Sequence, residues 1–338
     1  MAEAFASPEY ILSVGTGFIP ARALLSAVEL DVFSLLARGP ADLAALEAGL
    51  GLHPRASRDF LDALVALGLL EREDGLYRNT EPAARYLDRA SEDCIVAMLE
   101  MADQRLYGYW RHLTAALRSG EPQNELRSGG ATLFDALAAD PPRHRQFLSA
   151  MSALSRGANR AIARKFPWAG YRSFVDVGTA QGDLAAQVAL AHPHLVGTGF
   201  DLPPVAPIFT DYMARHGLGG RVDFTVGDFF RDPLPQADVL MFGHILHDWN
   251  LEEKRHLIRQ AWDALPAGGA ILIYEAMIDD GREHNVHGLL MSLAMLIETR
   301  GGFDYSAADC MGWLAEAGFR ALRREKLTGA ESMVVGIR

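Results

Sequence analysis

The sequence has little cysteine and no excess of basic residues. Cys94 and Cys310 are the two cysteines among 338 residues, too few for a disulfide framework and without metal-ligand spacing. Lys and Arg number 32 against 43 Asp and Glu, which gives a formal net charge of −11. Without a basic patch, a sequence-independent binder of nucleic acid or of anionic membranes is excluded.

Targeting and membrane signals are also lacking. The amino terminus, MAEAFASPEYILSVGTGF, has no basic flank before an apolar run, and no stretch of about 18 uncharged apolar residues occurs in the sequence. Together with the scarcity of cysteine, this predicts a reduced, cytoplasmic protein that has no membrane partner.

The first hundred residues contain short helical patterns. From Ala21 to Leu87, apolar residues recur at intervals of three and four, and Asp74-Gly75 marks a turn before the strand-like run LYRNT. Three helices followed by a hairpin predict a winged-helix domain over residues 1–100. Its expected third helix, SRDFLDALVALGLLERE, mixes both charges, whereas a recognition helix needs net positive charge. A structural or dimerisation role is therefore favoured over DNA binding.

A helical connector is expected over residues 101–168, interrupted at SGEPQNELRSGG and at ADPPRHR.

After the connector, the hydrophobic pattern changes to five strand-length apolar runs that alternate with helical segments. Alternation of this kind predicts a parallel sheet covered on both faces, with ligands bound beyond the carboxyl ends of the strands. The last two runs, FRALRREKL and ESMVVGIR, predict a hairpin at the sheet edge. Residues 169–338 are thus predicted to form a doubly wound α/β domain.

Two acids mark the ends of the first two strands of this domain. The first strand ends in DVGTAQGD, from Asp176 to Asp183, where small residues allow backbone amides to approach a ligand. The second ends at Asp201, placed to accept both hydroxyls of a ribose. Phosphate-binding glycine patterns are not matched, so an adenosine ligand without a pyrophosphate is indicated. The alternative role for Asp201 is a helix cap.

Further along, GDFFRDPLPQADVLMFGHILHDW precedes a strand that ends in Glu275. With these residues the chain resembles the S-adenosylmethionine-dependent class I O-methyltransferases of small molecules, of the plant caffeate and bacterial antibiotic-tailoring type. The resemblance spans nearly the whole chain. It implies a Rossmann-like methyltransferase domain, an amino-terminal winged-helix domain that forms a homodimer, and S-adenosylmethionine as cofactor, converted to S-adenosylhomocysteine. The cofactor-binding residues that it implies are Ser155, Asp176, Gly178, Asp201, Leu202, Asp228, Phe229, Gly243, His244 and Trp249.

The resemblance also implies the catalytic residues His247, Glu275 and Asp304. His247 would be the general base, since an imidazole accepts a proton near neutral pH, and Glu275 would fix its orientation. The chain departs from the family in carrying Asp304 where glutamate is usual, which shortens that side chain by one methylene. It also carries Thr179 and Ala180 in place of glycines in the turn after the first strand.

Two helical stripes are candidates for the acceptor site. Phe147 and Met151 are four residues apart on one predicted helix, and Met291 and Met295 on another. Methionine adapts to irregular aromatic or aliphatic shapes, although ordinary core packing gives the same pattern. Arg300 stands where the family usually has asparagine and could pair with an acidic group on the acceptor or lie on the surface.

The principal hypothesis is an O-methyltransferase of a hydroxylated, plausibly aromatic small molecule. One alternative is methylation at carbon or nitrogen on the same fold, and a more distant one is a non-catalytic winged-helix regulator. No metal is expected, because the histidine and acid spacing matches no zinc or iron motif and a sulfonium methyl donor needs no Lewis acid.

Overall fold

The computed structural model describes residues 7–128 and 137–338, and the chain forms two compact units, residues 1–106 and 107–338. The end of the predicted interruption SGEPQNELRSGG lies outside the described residues. In the first unit the helices are α1 Pro8–Gly15, α2 Phe18–Glu29, α3 Val32–Leu36, α4 Leu43–Leu50, α5 Ser57–Ala66, α6 Glu81–Tyr86 and α7 Val96–Met101, and the strands are β1 Ala41–Asp42, β2 Leu70–Glu73 and β3 Leu76–Asn79.

The predicted hairpin is confirmed by the pairing of β2 with β3. The strands are antiparallel, with Glu73 opposite Leu76, and the two turn residues, Asp74 and Gly75, have φ values of 50° and 81°. Positive φ at both central positions matches a type I′ turn, whose twist suits a hairpin. Strand β1 pairs with the other edge of β3, so that the sheet order is β1-β3-β2.

The predicted length of the third helix of this domain is wrong. Helix α5 ends at Ala66, and the charged residues expected at its end form β2 instead. Gly68, with φ of 72°, takes a left-handed conformation that terminates the helix. Only the first residue of β2, Leu70, is buried, because the following Glu-Arg-Glu stretch lies on an exposed strand.

The amino-terminal helices carry an exposed apolar face. Ile11 and Leu12 on α1 are 68% and 63% exposed, and Phe18 and Ile19 on α2 are both 58% exposed. The stretch Pro8–Glu29 is long and apolar enough to cross a membrane, by length and composition alone. In its most apolar 18-residue segment, 17% is buried. This stretch was not predicted from the sequence. It contains two charged residues, Arg22 and Glu29, which form an ion pair.

The second unit contains the predicted α/β domain. Its helices are α8 Tyr107–Trp110, α9 Leu113–Ser119, α10 Pro141–Lys165, α11 Asp183–Ala191, α12 Ala206–Arg215, α13 Leu251–Ala264, α14 Val286–Glu298 and α15 Ala307–Ala317, and its strands are β4 Ser173–Val177, β5 Val196–Asp201, β6 Val222–Val226, β7 Val239–Gly243, β8 Ala270–Glu275, β9 Arg320–Lys326 and β10 Ser332–Ile337. The sheet order is β6-β5-β4-β7-β8-β10-β9.

This order confirms a doubly wound sheet with a terminal hairpin. Strands β4 to β8 are parallel, whereas β10 is antiparallel to both β8 and β9. Both faces are covered. Along β8, Leu272 packs in the core beneath α10, α11 and α12, while Ile271 and Ile273 pack in the core beneath α13 and α15. The continuous burial of β8 is typical of a central strand in a covered parallel sheet.

Candidate active site

The sheet order brings the predicted site residues to one edge. Strands β5, β4, β7 and β8 are neighbours in that order, and parallel strands end at the same side of a sheet. Asp201 ends β5, Gly243 ends β7 and Glu275 ends β8, while Asp176 is the penultimate residue of β4 and Gly178 lies in the turn that follows it. The candidate site therefore lies at the carboxyl ends of the strands.

The turn between β4 and α11 is closed by the side chain of Asp201. The amide of Ala180 donates to Oδ2 of Asp201 over 2.9 Å, and the amide of Leu202 donates to Oδ1 over 2.8 Å. Ala180 has φ of 53°, in the left-handed region that disfavours residues with a Cβ, so the hydrogen bond to Asp201 supports this strained position. The departure from glycine at position 180 therefore leaves the turn intact.

Burial changes the acidity of both carboxyls near this turn. Desolvation raises the pKa of Asp176 to about 7, even though the Thr179 hydroxyl donates to Asp176 Oδ2 over 2.8 Å. Desolvation likewise raises the pKa of Asp201 to about 6, opposed by the amides of Ala180 and Leu202. A carboxylate that is short of water in this way gains from added hydroxyl donors, such as those of a ribose.

An aromatic cluster follows β6 and β7. Phe229 and Phe230 make edge contacts with Trp249, with ring centroids 5.8 Å and 4.6 Å away. Within the described part of the chain, the buried Trp249 Nε1 has no hydrogen-bond partner. Asp228 accepts from the amide of Phe230 over 2.9 Å. Flat apolar rings beside an unused N–H donor suit an adenine base, so the residues here fit the expected cofactor.

His247, Glu275 and Asp304 come together as a buried cluster. His247 lies in a short 3₁₀ helix, Leu246–Asp248, after β7. Its Nδ1 lies 3.3 Å from Asp304 Oδ1, while its backbone amide donates to Glu275 Oε1 over 3.1 Å. Asp304, rather than Glu275, thus contacts the imidazole, and Glu275 holds the backbone. The Nε2 of His247 lies 3.7 Å from Asp248 Oδ1. In the neutral ring with its hydrogen on Nδ1, Nε2 is the atom that can accept a proton.

The loop that carries Asp304 is fixed from two sides. The amide of Asp304 donates to the Ser292 hydroxyl on α14 over 3.2 Å. A single parallel bridge joins Ile278, just beyond β8, to Ser306 at the start of α15. The side chain of Asp304, although one methylene shorter than the glutamate that is usual at this position, therefore reaches the imidazole of His247.

The acids around His247 control its protonation. Burial lowers the pKa of His247, but the charges of Glu275, Asp248 and Asp304 outweigh this and raise it to about 10. Burial also raises the pKa of Glu275, while the nearby His247 charge lowers it. The surrounding acids therefore favour the protonated form of the imidazole.

His244 is placed in a different environment from His247. Its φ is 53°, and its Nε2 lies 3.7 Å from Oε2 of Glu331 in the β9–β10 turn. Burial, followed by the charges of His247 and His287, lowers the pKa of His244 to about 3, whereas desolvation raises that of Glu331 to about 7. Sequence reasoning missed Glu331, since nothing in its local sequence indicates that this hairpin turn folds back toward His244.

The predicted stripe on α10 lies beside a buried polar network. Phe147 and Met151 are half-buried, and Ser155 is buried. One turn beyond Ser155, Asn159 accepts from the Tyr274 hydroxyl over 2.7 Å and donates to Asp183 over 2.7 Å. This network links α10 to β8 and to the start of α11, and its members were not predicted as a group because they are distant in sequence.

The predicted acceptor residues on α14 lie at different depths, since Met295 is buried and Met291 is half-buried.

The cluster of His247, Glu275 and Asp304 also has the composition of a metal site. His247, Glu275 and Asp304 each offer a ligand atom, all within 4.8 Å of one another.

Comparison with known proteins identifies relatives over almost the entire chain. A profile for the O-methyltransferase domain matches residues 110–320, and one for the O-methyltransferase dimerisation domain matches residues 12–89. Tetracenomycin polyketide synthesis 8-O-methyl transferase of Streptomyces glaucescens is 45% identical over 97% of this chain and 96% of its own. An N,N-dimethyltransferase of Streptomyces rimosus is 38% identical over 94% and 92%. The crystal structure of human N-acetylserotonin methyltransferase with S-adenosylmethionine superposes with a TM-score of 0.89, at 31% identity and 98% coverage of both chains.

Proposed function

The chain belongs to the S-adenosylmethionine-dependent O-methyltransferases, and we propose that it methylates a hydroxyl group of an aromatic polyketide-like molecule with His247 as general base. The observation that carries the proposal is the buried contact of 3.3 Å between His247 Nδ1 and Asp304 Oδ1. This contact orients the ring so that Nε2 can take the hydroxyl proton.

The cofactor would be held by the residues at the ends of β4, β5, β6 and β7. Asp201 would accept the ribose hydroxyls, and Phe229 and Trp249 would enclose the adenine. Asp176, Gly178, His244 and Ser155 would border the methionine part. When bound, S-adenosylmethionine supplies an activated methyl group on a positively charged sulfur.

His247 must be neutral to act as a base, whereas its surrounding acids raise its pKa. A cation bound near the ends of the strands lowers the pKa of a neighbouring imidazole. His247 would therefore release its proton more readily once the enzyme is loaded. Asp304 then stabilises the imidazolium that forms again when the acceptor hydroxyl gives up its proton.

The acceptor would contact the exposed side of the helical stripes. Phe147 and Met151 on α10, with Met291 on α14, would provide apolar surface for a flat ring system, whereas Met295 is buried. Phe147, Met151 and Met291 are half-buried, so they can both pack on the core and contact a ligand. The name of the Streptomyces glaucescens relative, a polyketide 8-O-methyl transferase, supports a polyketide acceptor.

The test is methyl transfer from isotope-labelled S-adenosylmethionine to a panel of hydroxylated aromatic polyketides, with products analysed by mass spectrometry and NMR. We expect an O-methyl product with wild-type protein and a loss of about 10²- to 10⁴-fold in kcat with His247→Ala, the usual contribution of a general base. Full turnover by His247→Ala would reject the role of the base.

A second candidate function is methylation of an amine. The Streptomyces rimosus relative, an N,N-dimethyltransferase, favours it. The same assay with arylamine and alkylamine acceptors distinguishes the two functions, because N-methyl and O-methyl groups differ in carbon chemical shift. An N-methyl product alone, with hydroxyl acceptors inactive, would replace the first candidate by the second.

The protein would act as a homodimer through its first unit. The dimerisation-domain profile covers residues 12–89, and all but the first part of the exposed apolar face of α1 and α2 lies within that range. An exposed apolar face of contiguous helical residues is typical of a protein interface. A second copy of this chain is the proposed occupant of this face.

A further inference from the structure

A lysine is fully buried next to the catalytic cluster. Lys254 has 0% exposed surface and is the fourth residue of α13. Two effects disfavour a cation there: burial removes its hydration, and the amino-terminal end of a helix already carries partial positive charge. A buried lysine in this position therefore requires strong compensating contacts.

Those contacts join two loops of the candidate active site. Lys254 Nζ donates to the backbone oxygen of Trp249 over 2.5 Å and to that of Phe303 over 2.9 Å. It also lies 3.4 Å from the centroid of the Phe303 ring. Trp249 is two residues after His247, and Phe303 directly precedes Asp304. One ammonium group thus connects the segment of the base to the segment of its carboxylate partner.

The same ammonium group faces the acids of the cluster. Burial lowers the pKa of Lys254 to about 8, against the raising effects of Glu275, Asp304, Asp248 and Glu253. In return, its charge opposes the rise that burial causes in the pKa of Glu275 and of Asp248. Two buried acids, Glu275 and Asp304, and the half-buried Asp248 surround His247, and Lys254 supplies a further positive charge beside them.

We propose that Lys254 is a positioning residue that sets the contact between His247 and Asp304. It acts through the two backbone oxygens that it binds and needs no contact with the acceptor. The proposal rests on the proposed role of His247 as base. Without Lys254, the hydrogen bonds that connect the loop of Phe303 to the segment of Trp249 are lost. The distance between the His247 imidazole and the Asp304 carboxylate is then no longer fixed.

The experiment is a double-mutant cycle with His247→Ala, Lys254→Met and the combined variant. Methionine has a similar length to lysine but has neither the charge nor the N–H donors. Lys326→Met, at an exposed lysine of β9, is the matched control. Active sites are counted by calorimetric titration with S-adenosylhomocysteine, so that loss of folded protein is not mistaken for loss of turnover.

In the wild-type background we expect Lys254→Met to lower kcat by up to about 10²-fold, a loss typical of misplaced catalytic groups. The acceptor KM and the affinity for S-adenosylhomocysteine should stay the same. In the His247→Ala background the same substitution should change kcat less than twofold, since its effect passes through the base. The control should match wild type.

Unchanged kcat in Lys254→Met, or an equal loss in both backgrounds, would overturn the positioning role. If His247 is not the base, the single variant His247→Ala keeps full activity, and this result is distinct from those for Lys254→Met. If Lys254→Met does not bind S-adenosylhomocysteine with full stoichiometry, Lys254→Gln replaces it in the same cycle. Glutamine is uncharged and one atom shorter than lysine, so it does not reproduce both contacts of Nζ; a loss of kcat confined to the wild-type background supports the role, and an equal loss in both backgrounds overturns it.

Discussion

The imidazole Nδ1 of His247 lies 3.3 Å from Oδ1 of Asp304, on a loop 57 residues further along the chain. Glu275 contacts the backbone amide of the same histidine instead. The two acids therefore have different tasks, one at the ring and one at the main chain. Substitutions that remove charge but preserve shape should separate these tasks.

Asp304→Asn should reduce kcat more than Glu275→Gln. Asparagine can present its amide nitrogen to Nδ1 and favour the wrong tautomer, whereas glutamine retains an oxygen for the amide of His247. We expect a loss of about 10- to 10²-fold for Asp304→Asn, part of the contribution of a general base, and a smaller loss for Glu275→Gln. Steady-state kinetics with saturating cofactor measures both. The reverse order would mean that Glu275 orients the ring.

Asp201→Asn should weaken cofactor binding. Hydrogen bonds to a charged group contribute about 1.5–3 kcal/mol, so Kd for S-adenosylhomocysteine should rise by about 10- to 10²-fold. Asp223→Asn, at an exposed acid on β6, is the matched control. Calorimetric titration of the three proteins measures the change. Equal affinity of wild type and Asp201→Asn would leave Asp201 with only its structural contact to Ala180.

The free energy of unfolding should depend on pH through His247. The folded pKa, about 10, exceeds the ordinary value of 6.5, so the stabilisation is complete below pH 6.5 and is lost as pH rises through 10. For one proton the loss is up to about 1.4 kcal/mol per pH unit. Urea unfolding from pH 6 to 10 should show the gap between wild type and His247→Gln shrinking with pH. A constant gap would argue against a raised pKa.

Substitutions on the amino-terminal apolar face should produce monomers. Ile11→Glu and Phe18→Glu place charges on the proposed interface, whereas Leu76→Glu, at an exposed leucine of β3, is the control. Light scattering after size-exclusion chromatography should give twice the chain mass for wild type and control, and the chain mass for the two variants. A monomeric wild type that sediments with phospholipid vesicles would assign this face to a membrane.

Chelation should leave turnover unchanged. The ring of His247 already contacts Asp304, and methyl transfer from a sulfonium requires no Lewis acid. Activity after dialysis against EDTA, compared with activity after addition of zinc or magnesium, tests this. Loss of activity on chelation, restored by one of these ions, would show that the three side chains bind a metal.

The fold was largely predictable, because its signals are local. Asp74-Gly75 specifies a hairpin turn on its own, and the continuous apolar runs of the central strands indicate a covered sheet. The length of α5 was mispredicted because Glu71, Arg72 and Glu73 are polar on both faces of an exposed strand. No periodicity separates such a strand from the end of a helix.

The candidate site was predictable only in part. His247 and Glu275 occur in distinctive sequence, but Lys254 lies in LEEKRHL, a charged run that is typical of an exposed first helical turn. Its partners are the backbone oxygens of Trp249 and Phe303, and contacts to backbone oxygens cannot be predicted from residue types. Likewise, the direction of the Asp304 side chain depends on a loop held by Ser292 and by the bridge at Ser306.

Helix α14 serves two purposes with adjacent residues. Ser292 accepts from the amide of Asp304, while Met291 and Met295 are the predicted acceptor contacts. For anyone who wishes to redirect this enzyme to unnatural acceptors, the methionines are positions for saturation mutagenesis and Ser292 is a position to keep. A library that varies all three would mix altered selectivity with displacement of Asp304, and its hits would be harder to interpret.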